Sequence, residues 1–225
     1  MTPMKNILIP TFYAPDTNHA LKVAADLHRQ EKRDIILLSL SEVSGSITEL
    51  LFLSSGNAID KQQQDNVLRH WSECKAAHKI AAEVKHHHQY GLSRPILSRL
   101  LIHWEIDMII VPYSFRMDRQ RMYRFALRLF HQSGCPMMFL PDHDLPDNGI
   151  QRALFLDEGQ DAPSPAMQQY AFHVIHASML QEERTVKDMV DRMHIDLIVK
   201  KKRKATITDL YEAEAQALGL PVLTI

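Results

Sequence analysis

Short apolar runs alternate with amphipathic stretches over the first 140 residues. Lys5-Asn6-Ile7-Leu8-Ile9-Pro10 reads as a first strand. Asp16 or Thr17 is placed to cap a helix whose apolar positions Ala20, Leu21, Ala24, Ala25 and Leu27 recur at helical spacing. Asp34 to Leu40 is a second buried strand, followed by the Ser-rich stretch Ser41 to Gly56. A polar helix is expected over about Ala58 to Ala77, and a third strand over Lys79 to Gln89. Ser93 is a cap for a helix over Pro95 to Trp104, with the proline in its first turn. Asp107 to Val111 is a fourth strand. Arg121 to Gln132 is a helix with Phe125 and Leu129 inward, and Gly134 ends it. Pro136 to Leu140 is a fifth strand. Strands separated by helices of this length predict a parallel sheet with right-handed crossovers.

Past Pro141 the composition shifts, and the pattern then restarts. A polar segment with proline and glycine runs from Asp142 to Gly149. Ala153-Leu154-Phe155-Leu156 then parallels Ile7-Leu8-Ile9-Pro10, and Ile195-Asp196-Leu197-Ile198-Val199 parallels Ile106-Asp107-Met108-Ile109-Ile110. Gly219-Leu220-Pro221-Val222-Leu223 parallels Gly134-Cys135-Pro136-Met137-Met138. Matching pieces in one order predict an internal repeat. The expected layout is residues 1–143 as an α/β domain, 144–150 as a linker and 151–225 as a truncated second copy. Ser164 to Leu180 carries an apolar stripe at helical spacing and reads as one helix, with a strand over Phe172 to Ala177 as the rival. The helix leaves a three-strand remnant.

Composition narrows the function only by exclusion. The net charge of −1 and the lack of a basic stripe argue against nucleic acid as a partner. No apolar run approaches the roughly 20 residues of a membrane helix, and the chain enters a strand at once, without the form of a signal peptide. Two cysteines, Cys74 and Cys135, fit a reducing compartment, so a cytoplasmic protein is expected.

Lys5 to Thr11 followed by Asn18 to Leu27 resembles the opening of the universal stress protein family. Ile106 to Val111 and Gly134 to Leu140 resemble its fourth and fifth strands. The resemblance covers about residues 4–141, and 151–225 as a reduced copy like those of tandem members. It implies an open parallel sheet of five strands in the order 3-2-1-4-5 with helices on both faces. It also implies dimerisation along strand five, as a homodimer or, within a tandem chain, as a pseudo-dimer in which Pro221 to Ile225 meets Pro136 to Leu140. Nucleotide-binding members carry an acidic residue after strand one and a glycine run closed by Ser or Thr after strand four. Here the acidic position falls on Phe12, and the glycine positions fall near Pro112, Phe115 and Phe125. No glycine occurs between Val111 and Ala126. Proline removes a backbone donor, and the phenylalanines put bulk where phosphate oxygens would sit.

The degenerate crevice therefore comprises Thr11, Phe12, Tyr13, Pro112, Tyr113, Ser114 and Phe115, and no cofactor is expected there. Asp16 is a weak substitute for the missing carboxylate. In the second half, Asp157 and Glu158 end one strand, and Lys200-Lys201-Lys202 follow its neighbour. These five side chains are a candidate anion or zwitterion site, and a solvated charge run is the plainer reading. His86 and His88 share one face of strand three and His87 the other. Two imidazoles without a third ligand read as a polar strand edge rather than a metal site. No C-x-x-C pair and no Gly-x-Ser-x-Gly elbow occur. The expectation is a non-catalytic stress-response or regulatory protein that binds an unidentified protein and not ATP. The alternatives are a small-molecule or anion sensor using the crevice, or residual ATP or AMP binding.

Overall fold

The computed structural model describes residues 6–27, 33–42, 61–78, 82–143, 145, 149–156, 173–176, 190, 192–200 and 219–225. The strands are β1 (Asn6–Pro10), β2 (Asp34–Ser41), β3 (Glu83–Tyr90), β4 (Ile106–Val111), β5 (Met137–Phe139), β6 (Arg152–Leu156), β7 (His173–His176), β8 (Leu197–Lys200) and β9 (Val222–Thr224). The helices are α1 (Asp16–Leu27), α2 (Lys61–His78), α3 (Arg94–His103), α4 (Tyr113–Met117) and α5 (Arg121–Gln132).

All nine strands join one sheet in the order β3-β2-β1-β4-β5-β9-β8-β6-β7. Every pairing is parallel except β5 with β9. The first half has the order 3-2-1-4-5. The sheet does not end there: Met137, Met138 and Phe139 pair with Thr224, Leu223 and Val222. Beyond that junction β7-β6-β8-β9 repeats the pairing order of β2-β1-β4-β5.

Both faces of the sheet are covered, which is why the central strands are apolar at successive positions. One face sets Ile7, Ile9, Ile35, Leu37 and Ile110 against Ala20, Leu21 and Ala24 of α1 and Val67 and Trp71 of α2. The other sets Leu8, Ile36, Ile109 and Val111 against Leu97 and Leu100 of α3 and Ala126 and Phe130 of α5. Each core runs on across the β5–β9 junction, to Leu197, Val199 and Leu223 on one face and to Ile198 and Val222 on the other.

Local chemistry ends the elements where the chain turns. Ser93 accepts the Ile96 N–H at the start of α3, and Pro95 lies in the first turn. After α3, Glu105 takes the left-handed conformation (φ 49°), and before β8 His194 does the same (φ 51°). Gly134 and Gly219 also have positive φ, each two residues before the proline that leads into β5 or β9. Left-handed residues thus recur at matching places in the two halves.

Three expectations are corrected. The single helix over Ser164 to Leu180 is excluded by β7, whose Ala153↔Val174 and Leu154↔Ile175 pairing uses the free side of β6. Val174 and Ile175 are β-branched and suit a pleated strand; the rest of that stretch lies outside the described residues. The second half therefore contributes four strands, not three. Phe125 does not face inward: it is 47% exposed, while its neighbour Ala126 is fully buried.

Candidate functional site

β1 and β4 lie side by side, so the segments leaving their carboxyl ends meet. In open α/β sheets this is where ligands settle. After β1 the chain is knotted by Thr11. Its Oγ1 accepts the Tyr13 N–H at 2.7 Å and shares a 2.8 Å hydrogen bond with Thr17 Oγ1. The knot holds Tyr13 in the left-handed region (φ 65°). Phe12 and Tyr13 consequently join opposite faces of the sheet.

Phe12 completes a three-ring cluster. Its ring centroid lies 6.4 Å from that of Phe115 and 5.5 Å from that of Tyr123, and those two are 4.9 Å apart. Phe115 is fully buried. Pro112 is extended and precedes the short helix α4. Asp16 grips the start of that helix. Its Oδ2 accepts the Ser114 N–H at 2.8 Å, and its Oδ1 accepts the Ser114 hydroxyl at 2.7 Å. The expected capping of α1 by Asp16 is corrected: it is the first residue of α1, and its side chain is engaged across the crevice. Tyr113 lies at the rim, its ring 5.3 Å from the Arg116 guanidinium carbon. Of the crevice positions named from the sequence, Phe12 and Phe115 meet on one face, Ser114 is held by Asp16, and Tyr13 lies on the other face.

Tyr13 and β3 form a second polar cluster on the α1/α2 face. Tyr13 Oη and His86 Nδ1 share a 3.0 Å hydrogen bond, and Ser39 Oγ and His88 Nδ1 one of 2.8 Å. Burial lowers the pKa of His86 and, together with the charge of His87, that of His88. Burial raises the Tyr13 pKa against a smaller lowering by Ser39. Both shifts favour the uncharged forms of phenol and imidazole. The polar-edge reading is corrected in part. β3 is an edge and His86 is exposed on it, yet His86 also bonds Tyr13, and the partly buried His88 bonds Ser39. His87, on the other face, lies edge-on to Trp104 at 6.2 Å. Lys85 bonds Asp34, which raises its pKa. Among the described residues no group of three His, Cys, Asp or Glu side chains is arranged for a metal.

In the second half, Lys200 ends β8 opposite Leu156 of β6. Asp157, Glu158, Lys201 and Lys202 lie outside the described residues. The Asp16–Ser114 and Tyr13–His86 contacts were not read from the sequence. They join residues 98 and 73 positions apart, and only the polar character of each partner was visible.

The architecture is an α/β protein with a mostly parallel sheet between helical layers. No family model and no curated protein matches the chain. Among solved structures it is similar to a universal stress protein from Archaeoglobus fulgidus DSM 4304. Identity is 14%, with 98% of this chain and 96% of that one covered and a TM-score of 0.59. It is also similar to a functionally unknown protein from Pseudomonas aeruginosa PAO1, at 9% identity, 99% and 92% coverage and a TM-score of 0.50. The chain has the fold of universal stress proteins over nearly its whole length. No helix among the described residues is long and apolar enough to cross a membrane.

Proposed function

We propose that this chain is a non-catalytic regulatory protein of the stress response that holds no nucleotide and acts by binding another protein. The observation that carries this reading is the occupied crevice. Asp16 takes up the N–H and hydroxyl of Ser114, and Phe12, Phe115 and Tyr123 fill the adjoining space. A nucleotide's phosphates need open backbone donors and room for close approach. The Ser114 N–H and hydroxyl, which lie after β4 where the family's phosphate loop falls, are already taken by Asp16. The fold itself, shared with a universal stress protein, supports the stress-response role by analogy of architecture. Neither Cys74 nor Cys135 is in a disulfide, which fits work in the reducing cytoplasm.

In the same reading the second half is a retained copy that serves the first. It supplies β9 to the β5 edge, so one chain forms a pseudo-dimer and the partner protein binds elsewhere. The test is a thermal-shift titration of the full chain with ATP, ADP and AMP, with and without magnesium. No change in Tm is expected at millimolar nucleotide. A rise that grows with nucleotide concentration overturns the reading, because a ligand of the folded state must stabilise it by mass action.

A further inference from the structure

A cleft of about 410 Å³ opens on the α1/α2 face, away from the Phe12–Phe115–Tyr123 rings. Tyr13, Pro15 and Asn18 form one wall, and α2 supplies Val67, Arg69, His70 and Glu73. The volume is within the range of small-molecule sites. Its base is apolar and firm: Tyr13 and Val67 are almost completely buried. Its charges are unspent. Arg69 and Glu73 stand four residues apart on one helix, a spacing at which arginine and glutamate commonly pair, yet no ion pair joins them. Instead Arg69 Nη2 donates to Asn66 Oδ1 at 2.8 Å, which steadies the guanidinium and leaves most of its five N–H groups available. Among the described residues Glu73 has no hydrogen bond or cationic partner. The side-chain oxygen of Asn18 is out of solvent and accepts no hydrogen bond, which is uncommon for a buried acceptor.

We infer that this cleft binds a small zwitterion of the free α-amino acid class. The ligand's carboxylate meets Arg69 in the two-pronged geometry that guanidinium favours. Its ammonium group meets Glu73, and its side chain lies over Tyr13, Pro15 and Val67. A simple anion is disfavoured by Glu73 and a simple cation by Arg69, so a molecule carrying both charges is selected. Both charged residues are exposed, so their desolvation is slight and the affinity modest.

The test uses the full chain. Thermal melting is followed with each of the twenty L-α-amino acids at about 10 mM, beside its N-acetylated, amide-capped counterpart, which lacks both backbone charges. At least one free amino acid raises Tm by roughly 3–6 °C, the shift for ligand at about ten times Kd in a chain of this size. Its capped counterpart gives none. Arg69→Met and Glu73→Gln each remove most of the shift and leave the unliganded Tm unchanged. The proposal is overturned if no amino acid exceeds the effect of equimolar sodium chloride. It is also overturned if the capped compound does as well, or if the shift survives both substitutions. These outcomes are distinguishable from the nucleotide titration, since of the residues named for the cleft only Tyr13 also belongs to the crevice, and the substituted Arg69 and Glu73 do not.

Discussion

Asp16 illustrates how one side chain decides what a crevice can hold. Its two oxygens take the Ser114 N–H and hydroxyl in a partly buried place, and the short helix α4 starts there without a cap from Pro112. Asp16→Ala leaves both donors without their acceptor, and a donor left unsatisfied away from water costs about 1–3 kcal/mol. The variant is expected to lose about that much in urea unfolding, and Asp16→Asn, which keeps one acceptor, less. A second residue-scale prediction concerns backbone conformation. Glu105 and His194 are exposed, non-glycine and left-handed, and that conformation costs an L-residue about 1–2 kcal/mol. Glycine returns most of that, less its greater entropy in the unfolded chain. Glu105→Gly and His194→Gly are each expected to gain up to about 1 kcal/mol, and Glu105→Ala to gain nothing. Equal urea midpoints for glycine and alanine at position 105 would contradict this.

Among the elements, β3 holds its place at the sheet edge by unusual means. It pairs with β2 along its whole length, and His86 and His88 add side-chain ties to Tyr13 and Ser39. Burial lowers both imidazole pKa values, so the folded state binds fewer protons than the unfolded chain. Their contribution to stability is complete above the ordinary histidine pKa of about 6.5 and is lost as pH falls from there through the folded values. The urea midpoint should therefore drop between about pH 7.5 and 5.0, and a His86→Gln, His88→Gln double variant should flatten that drop. An unchanged slope in the double variant would remove the two histidines as its cause. These contacts also mark where sequence reading stops. β1, β2 and β4 were legible because runs such as Ile7-Leu8-Ile9 and Met108-Ile109-Ile110 have no polar position on either face. β7 was not, because Tyr170, Val174 and Ile175 satisfy a helical stripe while Val174 and Ile175 alone satisfy a strand. Only the free side of β6 decides between them. Phe125 misled for a related reason: α5 has apolar residues around more of its circumference than it can bury. The aromatic filling of the crevice was visible from Phe12 and Phe115. The pairing of Asp16 with Ser114 was not, since no local pattern links residues so far apart in the chain.

At the scale of the whole molecule, stability hangs on the seam where β5 meets β9. Three residue pairs in antiparallel register make it, reinforced by the Thr224 hydroxyl donating to the Met137 carbonyl at 3.2 Å. The seam is short, but Met138, Leu223 and Thr224 are wholly out of solvent, and Val222 and Met137 nearly so. Both cores pass through it without a break, so the halves share apolar surface as well as backbone hydrogen bonds. Take away residues 144–225, and β5 becomes an unpaired edge of Met137, Met138 and Phe139 with no charge or proline within the strand itself. An apolar edge of that kind pairs with whatever strand is offered. A 1–143 fragment is therefore expected to form a homodimer across β5, or to aggregate, when its mass is followed by light scattering on a sizing column. A fragment that stays monomeric and soluble would contradict the idea that the second half is retained to cover the edge. The reason for two halves in one chain would then have to lie in a surface that both build together.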